Sequence, residues 1–340
     1  MRFKVAIVIL NWNGEHFLRK FLPNVIVNSQ GNGIGVFVAD NGSTDGSLAL
    51  LDSEFNEVIQ IRLDKNYGFA EGYNRALQQI DTEFFVLLNS DVELTAGWLS
   101  PLIEFMDLHP DAAACAPKIM DYSRKTYFEY AGAAGGFIDK FGYPFCRGRI
   151  LSEIEVDSNQ YDNTREIFWA SGACMFVRAS KYIELGGLDD SFFAHMEEID
   201  MCWRFHNNGY SVWSVPQSCV YHVGGGTLPN NNPHKLYLNY RNSLYTLHKN
   251  LHPKELYPII IVRIILDWLS AFAYLLNFKY NFFKAVFVAH IHYFRNIKAL
   301  NWYRKSSSFV RLRANPQILQ KSILYQFFIL GHKKFSKVRF

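Results

Sequence analysis

From Lys279 to Phe340 the chain has no Asp or Glu, although it has 13 Lys and Arg there. The first 278 residues therefore hold 22 bases against 31 acids, so a formal net charge of +4 hides an acidic body and a basic end. Bases mixed with Phe, Tyr, Trp and Ile over 279–340 point to an anionic membrane surface, as in interfacial helices, rather than to nucleic acid. Cysteine is scarce and scattered: Cys115, Cys146, Cys174, Cys202 and Cys219 show no CxxC spacing. That argues against a cysteine zinc site and a disulfide framework, and suits a reducing cytosol. The one glycine run, in "VYHVGGGT" (220–227), lacks the spacing of a dinucleotide or P-loop fingerprint. No internal repeat or low-complexity tract stands out, and "MRFKVAIVILNWNG" reads as no signal peptide, because its apolar run is short and ends in Asn-Trp-Asn-Gly.

With 340 residues, 49% of them hydrophobic, the chain can bury a large core. It divides into a first unit over 1–250 and a helical, basic, aromatic region over 251–340. Runs at 4–10, 35–40, 57–63, 84–90 and 173–179 read as strands, and 15–27, 44–54, 69–80 and 95–108 have helical spacing. Strands that are apolar almost throughout are buried on both faces, which predicts an α/β fold with a doubly wound, mostly parallel sheet. The pattern weakens over 118–168, an insertion of loops or irregular strands. Past Pro233 the chain reads as helical to its end. The segment 256–278 is long enough to span a membrane, but Arg263 and Asp267 lie mid-segment at i, i+4. It reads as an interfacial or buried helix in preference to a single span.

In such sheets ligands bind beyond the carboxyl ends of the strands. Polar clusters fall at those ends: Asn11 to Asn13, Asp40-Asn41, Lys65-Asn66, and Asn89-Ser90-Asp91. On an extended segment Asn89, Asp91 and Glu93 would point the same way, as oxygen ligands of Mg2+ or Mn2+ must; the plainer alternative is a solvated strand end capping the next helix. His222 ends another apolar run before the glycines, and is either structural or a metal ligand. Asp40 can accept hydrogen bonds from a base or ribose, while Ser43, Thr44 and Asp45 read as a helix start.

The stretch "HMEEIDMCWRFHNNGY" (195–210) places Glu197, Glu198 and Asp200 beside an apolar stripe of Ile199, Cys202, Trp203 and His206. Glu197, Asp200 and Arg204 share the other side, with Asp200 and Arg204 at i, i+4. Glu198 sits on the border. Lost hydration there would raise its pKa and make it a proton acceptor near neutral pH; an acidic first turn complementing the helix dipole is the other reading.

The stretches "VAIVILNWNG", "VADNGSTDGS", "LDKNYGFAEGYNRAL", "LLNSDVEL", "FFAHMEEIDMCWRFHNNGY" and "YRNSLYTLHKN" resemble, in order and spacing over about 3–250, the family 2 glycosyltransferases, and within them the rhamnosyltransferase-like members that build cell-surface polysaccharides. The resemblance implies the nucleotide-diphospho-sugar transferase (GT-A, Rossmann-like) fold, an inverting reaction and a divalent cation, Mg2+ or Mn2+. It implies a nucleotide-diphospho-sugar donor and a glycan or lipid-linked acceptor, met at the cytoplasmic face of the membrane. Carried over by position, Asn11, Asn13, Asp40, Lys65, Asn66, Gly68 and Asn89 border the donor. Asp91 stands where the family has the last acid of its DxD motif, and His222 where some members ligate metal. Glu197-Glu198 matches a Glu-Asp pair whose second member is the base, with Glu198 one methylene longer than that Asp; either Glu197 or Glu198 takes the role. Arg241 matches an arginine suited to the leaving diphosphate. Trp169, Gly172 and Trp203 would line the acceptor side. A nucleotidyltransferase and a catalytically silent glycan- or lipid-binding scaffold are the competing readings.

Overall fold

The computed structural model describes residues 3–224 and 232–340. Its first half alternates strand and helix: β1 (Phe3–Asn11), α1 (Glu15–Asn28), β2 (Ile34–Asn41), α2 (Ser47–Glu54), β3 (Ile59–Leu63), α3 (Gly68–Leu77), β4 (Thr82–Leu88), β5 (Val92–Leu94) and α4 (Leu99–Leu108). Neighbours β3-β2-β1-β4 are all parallel, with Ile7 opposite Val36 and Val86. Alternation along β1 splits the core: Ala6 and Val8 meet Ala70, Tyr73 and Leu77 of α3, while Val5, Ile7 and Ile9 meet Leu18, Leu22 and Val25 of α1. Burial on both faces explains why these strands are apolar throughout.

Beyond β4 the sheet becomes mixed. β6 (Ala112–Asp121), β11 (Arg165–Ile167), β12 (Cys174–Arg178) and β13 (Ser211–His222) extend it, β12 antiparallel between β4 and β6, and β13 parallel to β6. Helices α5 (Ala179–Glu184) and α6 (Glu197–Asn207) lie between β12 and β13 in sequence. The insertion forms a second small sheet from β7 (Gly136–Asp139), β8 (Pro144–Cys146), β9 (Arg149–Ile150) and β10 (Glu153–Ile154).

Three long helices follow, α7 (Pro233–Asn250), α8 (Pro253–Leu276) and α9 (Tyr280–Tyr303). The chain is not helical to its end, as the sequence pattern suggested. After α9 it turns back, adds β14 (Ile318–Leu319) parallel to β7, forms the short α10 (Ile323–Phe328), and packs Phe335 and Phe340 on the Phe137 ring at 5.1 and 5.2 Å between centroids. Buried Asp139 accepts from the Ile323 N–H at 2.9 Å, tying this return in place.

Among the described residues α8 is the one helix long and apolar enough to cross a membrane. Its two mid-helix charges do not face outward. Arg263 donates to Asp267 at 2.8 Å, both buried, and Asp267 also meets His290 of α9 at 3.2 Å. Leu256, Ile260, Arg263, Asp267 and Ala271 form the inward face. Tyr257, Ile261, Ile265, Leu269, Phe272 and Leu276, each more than half exposed, form an apolar stripe on the other.

Candidate active site

Three polar loops gather at the carboxyl ends of the parallel strands. Asn11, buried at the end of β1, donates to Asp40 at 3.2 Å and to the Ser43 hydroxyl at 3.2 Å. Asn13, in the left-handed region at φ +50°, accepts from the Thr44 N–H at 2.7 Å. Asn66 accepts from the Gly68 N–H at 2.8 Å and from the Asn41 amide at 3.1 Å. Asn11, Asn13 and Asp40 thus share one hydrogen-bonded loop pair with Ser43 and Thr44, Asn66 and Gly68 are tied to Asn41, and Lys65 is exposed. Asp40 is 1% exposed and already accepts from Asn11 and Ser43, so it shapes the loop from beneath. Trp12, 48% exposed between Asn11 and Asn13, presents an indole that the sequence reading passed over.

Asn89-Ser90-Asp91 is a turn between β4 and β5, not a continuous strand. Glu93 consequently pairs with Lys125, away from Asp91. Antiparallel pairing sets His222 opposite Val92 and so beside Asp91. Its Nε2 lies 3.1 Å from Asp91 and 3.3 Å from the Asn89 amide, and its Nδ1 lies 3.5 Å from Glu129. Burial alone would lower the His222 pKa; the two carboxylates outweigh it and push it up to about 10. Glu129, 5% exposed, had no signal in the weakly patterned insertion. Asp91 and His222 are close enough to share a divalent cation. Among the described residues no group of three His, Cys, Asp or Glu is disposed to hold one. The remaining positions of its shell would fall to water and diphosphate oxygens, as Mg2+ sites commonly arrange. In the glycine run Gly224 is described, at φ +71°, and Gly225, Gly226 and Thr227 lie outside the described residues.

Helix α6 starts abruptly after His195 and Met196, both left-handed at φ +70° and +73°. Glu197 and Glu198 form its first turn, each with one carboxylate oxygen buried and without a hydrogen-bond partner among the described residues. Burial and the neighbouring Glu198 charge raise Glu197 well above the usual carboxylate range. Burial also raises Glu198, while the backbone N–H groups of Glu198 and Ile199 hold it to about 7. Burial pushes up the pKa of the Cys146 thiol, with smaller contributions from the Glu129 and Glu198 charges. The predicted apolar stripe is present, but the opposite side of α6 is buried as well. Asp200, fully buried, accepts from Arg204 at 2.9 Å, Lys249 at 2.9 Å and Asn250 at 2.7 Å, and Lys249 also reaches Asp189.

Three predicted site residues stand elsewhere. Trp203, 2% exposed, packs edge-on against Phe168, and Trp169, 3% exposed, donates from Nε1 to Phe137 and covers Gly136. Neither indole face is open to an acceptor; Gly172 is partly open. Arg241 spends its guanidinium on Asn242 at 2.8 Å, Tyr237 at 3.1 Å, and the Ser191 and Phe192 carbonyls at 3.0 and 2.9 Å. It braces the loop ahead of α6 instead of facing a diphosphate.

Residues 6–143 match the family model of glycosyl transferase family 2. The chain is 25% identical over 233 residues to the N-acetylglucosaminyl-diphospho-decaprenol L-rhamnosyltransferase of Mycobacterium tuberculosis, covering 64% of this chain and 75% of that one. It is 23% identical over 219 residues to the rhamnosyltransferase WbbL of Escherichia coli, covering 62% and 80%. The crystal structure of GalNAc-T7 with UDP, GalNAc and Mn2+ shares the fold at a TM-score of 0.57 and 14% identity, over 74% of this chain and about half (48%) of that one.

Proposed function

We propose that this chain, whose residues 6–143 match the family model of glycosyl transferase family 2, is an inverting, divalent-cation-dependent transferase of that family. It moves a sugar from a nucleotide-diphospho-sugar, dTDP-rhamnose or a UDP-sugar, to a glycan or lipid-linked acceptor in cell-surface polysaccharide synthesis. The observation that carries this reading is the Glu197-Glu198 pair at the start of α6, each with a buried carboxylate oxygen that has no hydrogen-bond partner among the described residues, and with Glu198 raised to about 7. Nucleotidyl transfer to a sugar phosphate, whose attacking oxygen is already ionised, would have no use for such a base. The similarity to a rhamnosyltransferase named for a polyprenyl-diphosphate-linked sugar supports the lipid-linked acceptor.

Glu198 takes the proton from an acceptor hydroxyl, and the oxygen attacks the anomeric carbon from the face opposite the nucleotide as the bond to the diphosphate breaks. A near-neutral pKa suits a base that must be ionised yet still hold the proton it receives. Burial and the Glu198 charge raise Glu197 as well, so the two carboxyls titrate as a pair. Asn11, Asn13, Lys65 and Asn66 border the donor. Asp91 and, on loss of its ring proton, His222 would hold Mg2+ or Mn2+, which would neutralise charge on the departing diphosphate.

The outward stripe of α8 lies in the plane of the cytoplasmic membrane face, and bases such as Lys279 and Lys284 meet anionic headgroups. A full span is the weaker reading, because the other face of α8 is committed to Tyr143, Phe141 and His290.

The test is release of nucleoside diphosphate from a panel of nucleotide-sugars with Mg2+ or Mn2+. Metal-dependent release from one donor supports the transferase. Nucleoside monophosphate or pyrophosphate as product would point to nucleotidyl transfer, and silence even with lipid-linked acceptors would favour a scaffold.

A further inference from the structure

With Trp169 and Trp203 buried, Phe193, four residues ahead of Glu197 in the chain, keeps an exposed ring. Phe193 is 44% exposed, next to fully buried Phe192, with its backbone at φ +63°. A bulky side chain rarely adopts that region, and such strain persists only where the surroundings enforce it. Here they do. The Phe193 carbonyl accepts from Phe69 N–H at 2.7 Å and Ala70 N–H at 3.4 Å. Arg241 holds the two carbonyls before it, and buried Asn242 lies 3.0, 2.9 and 2.7 Å from those of Phe192, Ala194 and His195. The ring rests on Gly68, where an added Cβ would come within 2.5 Å of it. The Phe69 ring in turn lies 3.4 Å from the position a Cβ would take at Gly172. Gly172, Phe69, Gly68 and Phe193 therefore make one apolar strip, which ends four residues ahead of α6 in the chain.

We infer that Phe193 is the platform on which the pyranose ring of the acceptor stacks, with Phe69 and Gly172 as the floor beside it. This deepens the transferase reading and rests on it. A pyranose presents one face of C–H groups and an edge of hydroxyls. The apolar face covers an exposed phenyl, which water solvates poorly, and leaves a hydroxyl at the edge for the carboxylates that open α6 four residues further along the chain. The missing side chain at Gly172 leaves room for the ring. Arg241 and Asn242 are positioning residues, holding the strained loop so that the platform and Glu198 keep a fixed relation.

The experiment is saturation-transfer NMR of the full chain with a panel of octyl hexopyranosides, for wild type, Phe193→Ala, Phe193→Trp and Gly172→Val. Wild type transfers saturation to the ring protons of at least one glycoside. Phe193→Ala weakens that binding about tenfold, the scale of one aromatic contact. Phe193→Trp restores it. Gly172→Val weakens it by blocking the floor while leaving the strained loop intact, which decides the matter if Phe193→Ala melts early. Unchanged binding in a folded Phe193→Ala or in Gly172→Val overturns the inference, as does wild type binding no glycoside. Acceptor-free release of nucleoside diphosphate by wild type reports the transferase reading separately, so the two fail in distinguishable ways.

Discussion

Replacing Glu198 by Gln should remove activity and add stability, and the two effects should depend differently on pH. The Glu198 carboxyl rises from 4.5 to about 7 in the folded chain, chiefly because burial disfavours its charge. A group whose folded pKa lies above its unfolded value favours folding below the unfolded pKa, and that contribution is lost as pH rises through the folded one. At pH 8 wild type therefore carries the cost of an ionised, poorly hydrated carboxylate. At about 1.4 kcal/mol per pKa unit, that cost is about 3 kcal/mol. Gln has nearly the same shape and cannot ionise. It also removes the neighbouring charge that raises Glu197. Glu198→Gln should unfold at higher urea than wild type at pH 8, by about 2–3 kcal/mol, and at nearly the same urea at pH 4, while transfer falls by about a hundredfold or more. Paired urea titrations at the two pH values, followed by circular dichroism, measure the difference. Equal midpoints at pH 8, or a gain that persists unchanged at pH 4, would refute the argument.

Other sites give further predictions. Lys249→Met should cost about 1.5–3 kcal/mol, because it removes the cationic partner of Asp189 and one of the two of buried Asp200, which keeps Arg204; a loss below about 0.5 kcal/mol in urea unfolding would show that the network does not hold α6 to α7. Gly68→Ala should destabilise by about 1–3 kcal/mol and depress turnover, since its backbone is at φ +78° and its Cβ would strike Phe193; wild-type kinetics and melting would contradict that. Ile265→Asp with Leu269→Asp should release the chain from vesicles containing anionic lipid and leave the fold intact, because both side chains are already in water; retained co-sedimentation would exclude α8 as the docking face.

The parallel half of the sheet was legible because each strand is a short apolar run ended by Asn or Asp, and the polar loops of Asn11, Asp40 and Asn66 follow from those ends. What escaped depends on contacts between distant segments. Glu129 lies in the irregular segment between β6 and β7, beside a single isolated bridge of Phe128 with Met120 that is too short for periodicity to register. Trp203 is core because α6 is enclosed on every side. A 3.6-residue stripe identifies which residues share a face, but not that Lys249 and Asn250 will cover the opposite one. Arg241 has backbone carbonyls as partners, about 50 residues away, and a carbonyl leaves no mark in a sequence. The left-handed backbone at Phe193, His195 and Met196 breaks local rules at positions where Gly would ordinarily stand, and it does so beside the carboxylate pair.

The most direct test of the account is the rate of sugar transfer from an identified donor to its acceptor, across pH, for wild type, Glu197→Gln and Glu198→Gln. The account predicts that wild type loses activity as pH falls below about 7, that Glu197→Gln retains a measurable ionising limb, and that Glu198→Gln drops by about a hundredfold or more at every pH. A Glu198→Gln chain that transfers sugar at close to the wild-type rate would contradict it.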